Sequence, residues 1–81
     1  MWYVYFLQST KKPTYIYTGY SNNIERRLKE HNSEMSNLST ANYRPLELLS
    51  YIAVKDEITA IKLEKYFKTG SGRAFLKKHF I

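Results

Sequence analysis

Residues 2–7 run Trp-Tyr-Val-Tyr-Phe-Leu with no polar residue among them but the tyrosine hydroxyls. A strand of aromatic, β-branched and aliphatic side chains with no polar face must be covered on both sides. It therefore belongs at the centre of a sheet. Residues 9–14, with two lysines and Pro13, predict a turn, and residues 15–20 a second β-rich run that stops near Gly19. Together they form a hairpin. Strand alternation puts Tyr3, Tyr5 and Leu7 on one face of the first strand and Tyr15, Tyr17 and Gly19 on one face of the second. Tyr5 and Tyr17 can then be neighbours.

Ser21 and Asn22 offer helix N-caps, Glu25 stands three residues after Asn22 as a reciprocal cap, and Ile24 and Leu28 open an apolar stripe. These features predict a helix over 22–32. Residues 32–45 are polar and rich in Ser and Asn, and read as a mobile loop that becomes ordered on binding. Residues 46–54 form a third strand, a second helix starts at Lys55 or Asp56 and stops at Gly70, and residues 73–80 form a short terminal helix. With neither a repeat nor a second domain visible, residues 1–81 read as a single domain. The order β-β-α-β-α-α predicts an α+β fold with a three-stranded, mostly antiparallel sheet.

A chain of 81 residues buries only about 60% of its unfolded surface, enough for a small core and one shallow site. Thirteen Lys and Arg against seven Asp and Glu give a net charge of +6, which makes a polyanion, and nucleic acid first, the expected partner. The lack of cysteine excludes a disulfide framework and a thiolate zinc site. Neither a signal-peptide pattern nor an apolar stretch near the ~20 residues needed to span a bilayer is present. The expectation is a soluble, cytoplasmic protein with no membrane partner.

Within this frame a few side chains stand out. At about 100° per residue, Arg27 lies beside the Ile24/Leu28 stripe and His31 projects from it, whereas Arg26 points away. Arg27 and His31, at i and i+4, can address the same phosphate, although a lone arginine is ordinarily a solvated charge and a lone histidine is often merely half buried. On the second helix Ala60, Ile61, Leu63 and Phe67 mark the packed face, and Glu64 falls among them. A carboxylate there needs a partner: either an arginine such as Arg27, or a divalent cation, since Mg²⁺ takes one or two carboxylates with water and phosphate oxygens completing its shell. Lys62, Lys65 and Lys68 read as solvated charges with weak backbone contacts to DNA. Tyr3 and Tyr15 read as packing residues. Tyr5 or Tyr17 acts as a base only if a neighbouring cation favours the phenolate over a reference pKa near 10. Gly70-Ser71-Gly72-Arg73 fits either a close backbone approach to phosphate at a helix N-terminus or a plain junction between two helices.

Trp2-Tyr3-Val4-Tyr5, Tyr17-Thr18-Gly19, the run from Glu25 to Asn32, Ala60-Ile61-Lys62-Leu63-Glu64 and Gly70-Ser71-Gly72-Arg73-Ala74-Phe75 together resemble the GIY-YIG nuclease superfamily. The likeness covers the whole chain and is to its small single-domain bacterial branch, related to the incision module of excision-repair nucleases. Tyr3-Val4-Tyr5 stands in place of Gly-Ile-Tyr and Tyr17-Thr18-Gly19 in place of Tyr-Ile-Gly. Tyr20 occupies a position where some relatives carry lysine. Relatives usually join this module to a DNA-binding domain, and this chain shows none, so a partner protein would supply selectivity.

The resemblance implies an endonuclease that nicks DNA in repair or recombination. Glu64 would hold one Mg²⁺ or Mn²⁺, Arg27 would stabilise the charge developing on the phosphate, and Tyr5 or Tyr17, aided by His31, would activate water. Tyr5 is preferred as base on the family pattern, with Tyr17 orienting the phosphate. Arg27, Lys62, Lys68 and Arg73 are the expected nucleic-acid contacts. The alternatives are a module of the same fold that binds nucleic acid without cleaving it, and an RNA binder that uses exposed tyrosines for stacking.

Overall fold

A computed structural model of the protein describes residues 1–34 and 38–80. The first strand, β1 (Trp2–Ser9), lies between β2 (Ile16–Ser21) and β3 (Leu46–Val54), antiparallel to both, in a three-stranded sheet of order β2-β1-β3. Three helices follow the expected order: α1 (Ile24–Asn32) between β2 and β3, then α2 (Glu57–Phe67) and α3 (Gly70–His79). The protein is α+β. Among the described residues no helix is long and apolar enough to cross a membrane.

The centrality of β1 creates two small cores back to back. Val4 and Phe6 point to one side and pack with Ala60, Phe67 and Leu76 of α2 and α3. The Phe6 ring meets Phe67 edge-on, with centroids 5.0 Å apart. Tyr5 and Leu7 point to the other side and pack with Leu46 and with Ile24 and Leu28 of α1. Val4, Phe6 and Leu7 are fully buried, and each such side chain contributes roughly 1.5–3 kcal/mol. A β-bulge interrupts the β1/β3 pairing between Phe6 and Leu7, which face Ser50 and Leu48.

Several boundaries differ from those expected. The N-cap of α1 is Asn23, whose side chain accepts from the Arg26 N–H at 3.0 Å. Ser21 instead bonds Asn23 through both its N–H and its carbonyl. Glu25 consequently sits one position short of a reciprocal cap, though a carboxylate in the first turn still suits the helix dipole. The second helix ends at Phe67 rather than Gly70, and the third begins at Gly70 rather than Arg73, capped by the Thr69 hydroxyl. A Cβ on Gly72 would lie 1.9 Å from the Tyr66 carbonyl oxygen and 2.6 Å from the Phe67 Cα. Gly70-Ser71-Gly72-Arg73 therefore serves a helix junction, where a hydrogen at Gly72 lets α3 press against the end of α2.

The segment 32–45, expected to be a mobile loop, carries several ties to the rest of the fold; residues 35–37 of that expectation lie outside the described residues. The Asn32 amide donates to the Leu46 carbonyl at 2.8 Å and accepts from the Leu46 N–H at 2.7 Å. A short 3-10 turn at Ala41–Tyr43 stacks the Tyr43 ring on Tyr15, with centroids 3.7 Å apart and planes 4° apart. Ser9 donates to the Tyr43 carbonyl at 2.7 Å. Arg44 donates to the carbonyls of Ala41 and Ser33, and Thr40 is fully buried.

Candidate active site

Tyr5 pairs across the sheet with Gly19, and Leu7 with Tyr17. A Cβ on Gly19 would lie 2.6 Å from the Tyr5 hydroxyl and 2.9 Å from the Tyr17 ring. The absent side chain thus lets the Tyr5 phenol lie across β2, with its hydroxyl carried toward that edge of the sheet. Here α1 brings His31 against both tyrosines. The Tyr5 hydroxyl is 3.3 Å from His31 Nε2, and the Tyr17 and His31 rings are 4.8 Å apart. His31 Nδ1 lies 2.6 Å from the Thr40 hydroxyl. With the imidazole proton on Nδ1 and donated to Thr40, the Nε2 lone pair faces the Tyr5 O–H. Thr40 and Gly19 are thus parts of the site that reasoning from residue types missed; a buried histidine's need for a second hydrogen-bond partner is the signal that points to Thr40.

Arg27 reaches the same hydroxyl from one turn earlier. Hydrogen bonding to the Tyr5 phenol raises its already high pKa, burial opposes this, and a second bond to Glu30 adds to the rise. The Arg27–Glu30 ion pair measures 3.0 Å. Arg26, one residue before, is exposed.

The expected bias toward a phenolate at Tyr5 is present but outweighed. Burial raises the Tyr5 pKa above 10.0, the Arg27 hydrogen bond and charge pull it down, and the charges of Tyr17 and Glu64 push it up again. Tyr5 rests as a phenol. Burial also lowers the His31 pKa below 6.5, with the Arg27 charge lowering it further and Glu30 opposing. The imidazole is neutral at pH 7 and able to accept a proton.

Acidification should therefore cost stability through His31. Above pH 6.5, its ordinary pKa, neither folded nor unfolded protein holds the proton. Below it the unfolded chain gains one, while the folded protein does not until its lower pKa is reached. Stability falls from about pH 6.5 downward. His31→Gln, which keeps hydrogen-bonding capacity for Tyr5 and Thr40, should lose less urea resistance than wild type between about pH 7 and about pH 5. Equal losses in the two proteins would mean that the buried imidazole does not titrate this way.

Glu64 does not share the tyrosine face. Its helix α2 packs on the opposite side of the sheet through Ala60 and Phe67, and the Glu64 charge still acts on Tyr5, raising its pKa. One sheet thus carries four of the expected residues on one face, with the fifth on a helix behind it. The Glu64 side chain is 17% exposed and pairs with the half-exposed Lys68 at 3.3 Å, not with Arg27. Among the described residues no group of three or more His, Cys, Asp or Glu could hold a metal by itself. A mostly buried carboxylate paired with a half-exposed lysine fits a hard divalent cation that takes most of its oxygens from water and phosphate.

Of the expected nucleic-acid contacts, Lys68 and Arg73 line a common groove with Lys77, which sequence reasoning missed. Lys62 is exposed outside that groove, and its charge reaches the Asp56 cap of its own helix. A family model described as the GIY-YIG catalytic domain matches residues 1–78. Comparison with curated proteins finds no match.

Proposed function

The chain belongs to the GIY-YIG family, and from that premise we propose that it is a divalent-metal-dependent endonuclease that nicks DNA, in repair or recombination. The observation that carries this reading is the contact of the Tyr5 hydroxyl with a neutral His31 beside the Arg27 guanidinium. A phenol with a high pKa is a poor base alone, because its neutral oxygen is far less basic than a phenolate's. Next to an imidazole it works as a relay. Tyr5 accepts a proton from the attacking water while passing its own to His31 Nε2; the water oxygen bonds to phosphorus as the opposite P–O bond breaks, and the departing oxygen is protonated from solvent. Arg27 faces the charge that develops on the phosphate. Tyr17, packed against His31, orients the ring and the phosphate. Glu64 would hold Mg²⁺ or Mn²⁺, which would supply Lewis-acid stabilisation of the phosphate's negative charge.

The test is cleavage of labelled nicked, flap and branched DNAs under single-turnover conditions. Strand breaks are expected with Mg²⁺ or Mn²⁺ and none with EDTA, and Tyr5→Phe should slow cleavage by about 10²-fold or more. DNA that is bound by the protein yet left intact with every divalent cation would favour the non-catalytic binding module.

A further inference from the structure

A groove of roughly 580 Å³ runs between residues 14–18 on one side and the end of α2 and the middle of α3 on the other. Phe67 and Leu76, both buried, close its floor. Its described lining carries three cations, Lys68, Arg73 and Lys77, and no carboxylate. Two features join it to the candidate active site. Tyr17 lines the groove and also packs against His31, and Lys68 lines it while holding Glu64. Along its other wall β2 is an edge strand, whose outer backbone groups have no strand partner and are available to sugar and phosphate.

We propose that this groove holds single-stranded DNA continuing from the scissile phosphate, which makes the preferred substrate one with unpaired nucleotides next to the cut. The inference rests on the nuclease reading for its orientation and goes beyond it in naming the substrate. Size and charge argue for it together. The volume lies in the range of about 300–1,000 Å³ that encloses one small ligand, which is room for roughly one or two nucleotides and not for a duplex. Three lysine and arginine heads around an apolar floor match a strand with phosphates at the rim and bases inward, the usual arrangement for single-strand binding. A strand phosphate that engages Lys68 also draws it from Glu64 beside the reaction centre. Lys68 itself is half-exposed, so water and salt screen its pairing with Glu64 and a phosphate competes for the lysine.

The experiment is fluorescence anisotropy of the intact protein in EDTA, so that no strand is cut, with labelled oligothymidylate, a blunt duplex of the same length and a flapped duplex. The single strand and the flap should bind at least about tenfold more tightly than the blunt duplex. The three groove cations contribute about −2 to the log–log salt slope for a single strand, and the double variant Arg73→Glu/Lys77→Glu should make the slope shallower by about 1.4. Both positions are exposed, and an unchanged circular-dichroism melt would show that the variant folds. Equal affinity for strand and duplex, or an unaltered salt slope in the double variant, would overturn the groove assignment even if the protein cuts DNA. Conversely, strand-selective binding by a protein that cuts nothing would leave the groove standing and remove the nuclease.

Discussion

Arg27→Ala is expected to slow single-turnover DNA cleavage by about 10²–10³-fold, the scale seen when one preorganised donor to a developing charge is removed. The neighbouring Arg26→Ala should change turnover less than about twofold. The contrast follows from the helix: Arg27 is half-buried and interacts with the Tyr5 phenol, while Arg26 is exposed. Stability should move little in either variant, since the Arg27–Glu30 pair spans only one turn and is partly exposed. Glu64→Gln belongs in the same assay. The amide keeps the shape and loses the charge, so metal-dependent cleavage should disappear while DNA binding in EDTA persists. Normal cutting by Glu64→Gln would reduce Glu64 to the ion-pair partner of Lys68. If Arg26 were essential and Arg27 dispensable, both the register of α1 and the roles assigned along it would be wrong.

The largest stability effect is expected at Gly72. In an exposed helix, Gly→Ala stabilises by about 1 kcal/mol, yet here the added methyl meets backbone atoms that cannot swing away. Relieving the overlap means lifting α3 off α2 and opening the core around Phe67 and Leu76, and overpacking of this kind typically costs ~1–3 kcal/mol, occasionally more. In a domain of this size ~1 kcal/mol shifts Tm by about 4–8 °C, so Gly72→Ala should melt roughly 4–24 °C below wild type. Gly70→Ala is the matched control. A Cβ at Gly70 meets nothing within 4 Å, and its variant should melt at or above wild type. A Gly72→Ala protein as stable as wild type would show that the junction is looser than the close approach implies.

What could be read ahead of the structure was whatever local periodicity governs. An unbroken apolar run placed β1 at the centre, alternation put Tyr5 and Tyr17 on a common side, and the helical wheel separated Arg27 from Arg26. The features that escaped depend on partners far along the chain. Thr40 is an ordinary loop threonine until His31 lies against it. Residues 38–45 look mobile by composition, and their order comes from Tyr15, Ser9 and the ties that Asn32 makes to Leu46. The α2/α3 boundary was misplaced because a glycine pair reads as a helix stop, when here it marks a close helix contact. The protonation of Tyr5 was beyond reach for a related reason: both burial and Arg27 act on it, with opposite signs, and only packing decides which is larger.

The back-to-back arrangement of β1 has a further consequence for how activity is inherited from folding. Neighbouring residues of this strand serve different layers, Val4 and Phe6 one and Tyr5 and Leu7 the other, and a slip of one residue would exchange the two sets. The phenol would then be entombed under α2, and an inert phenylalanine or valine would be offered to the imidazole. Such a molecule would lack the Tyr5–His31 contact on which the proposed cleavage depends. The bulge opposite Phe6 and Leu7 works as a keyway against that error, because a uniformly slipped ladder has no place for the extra residue.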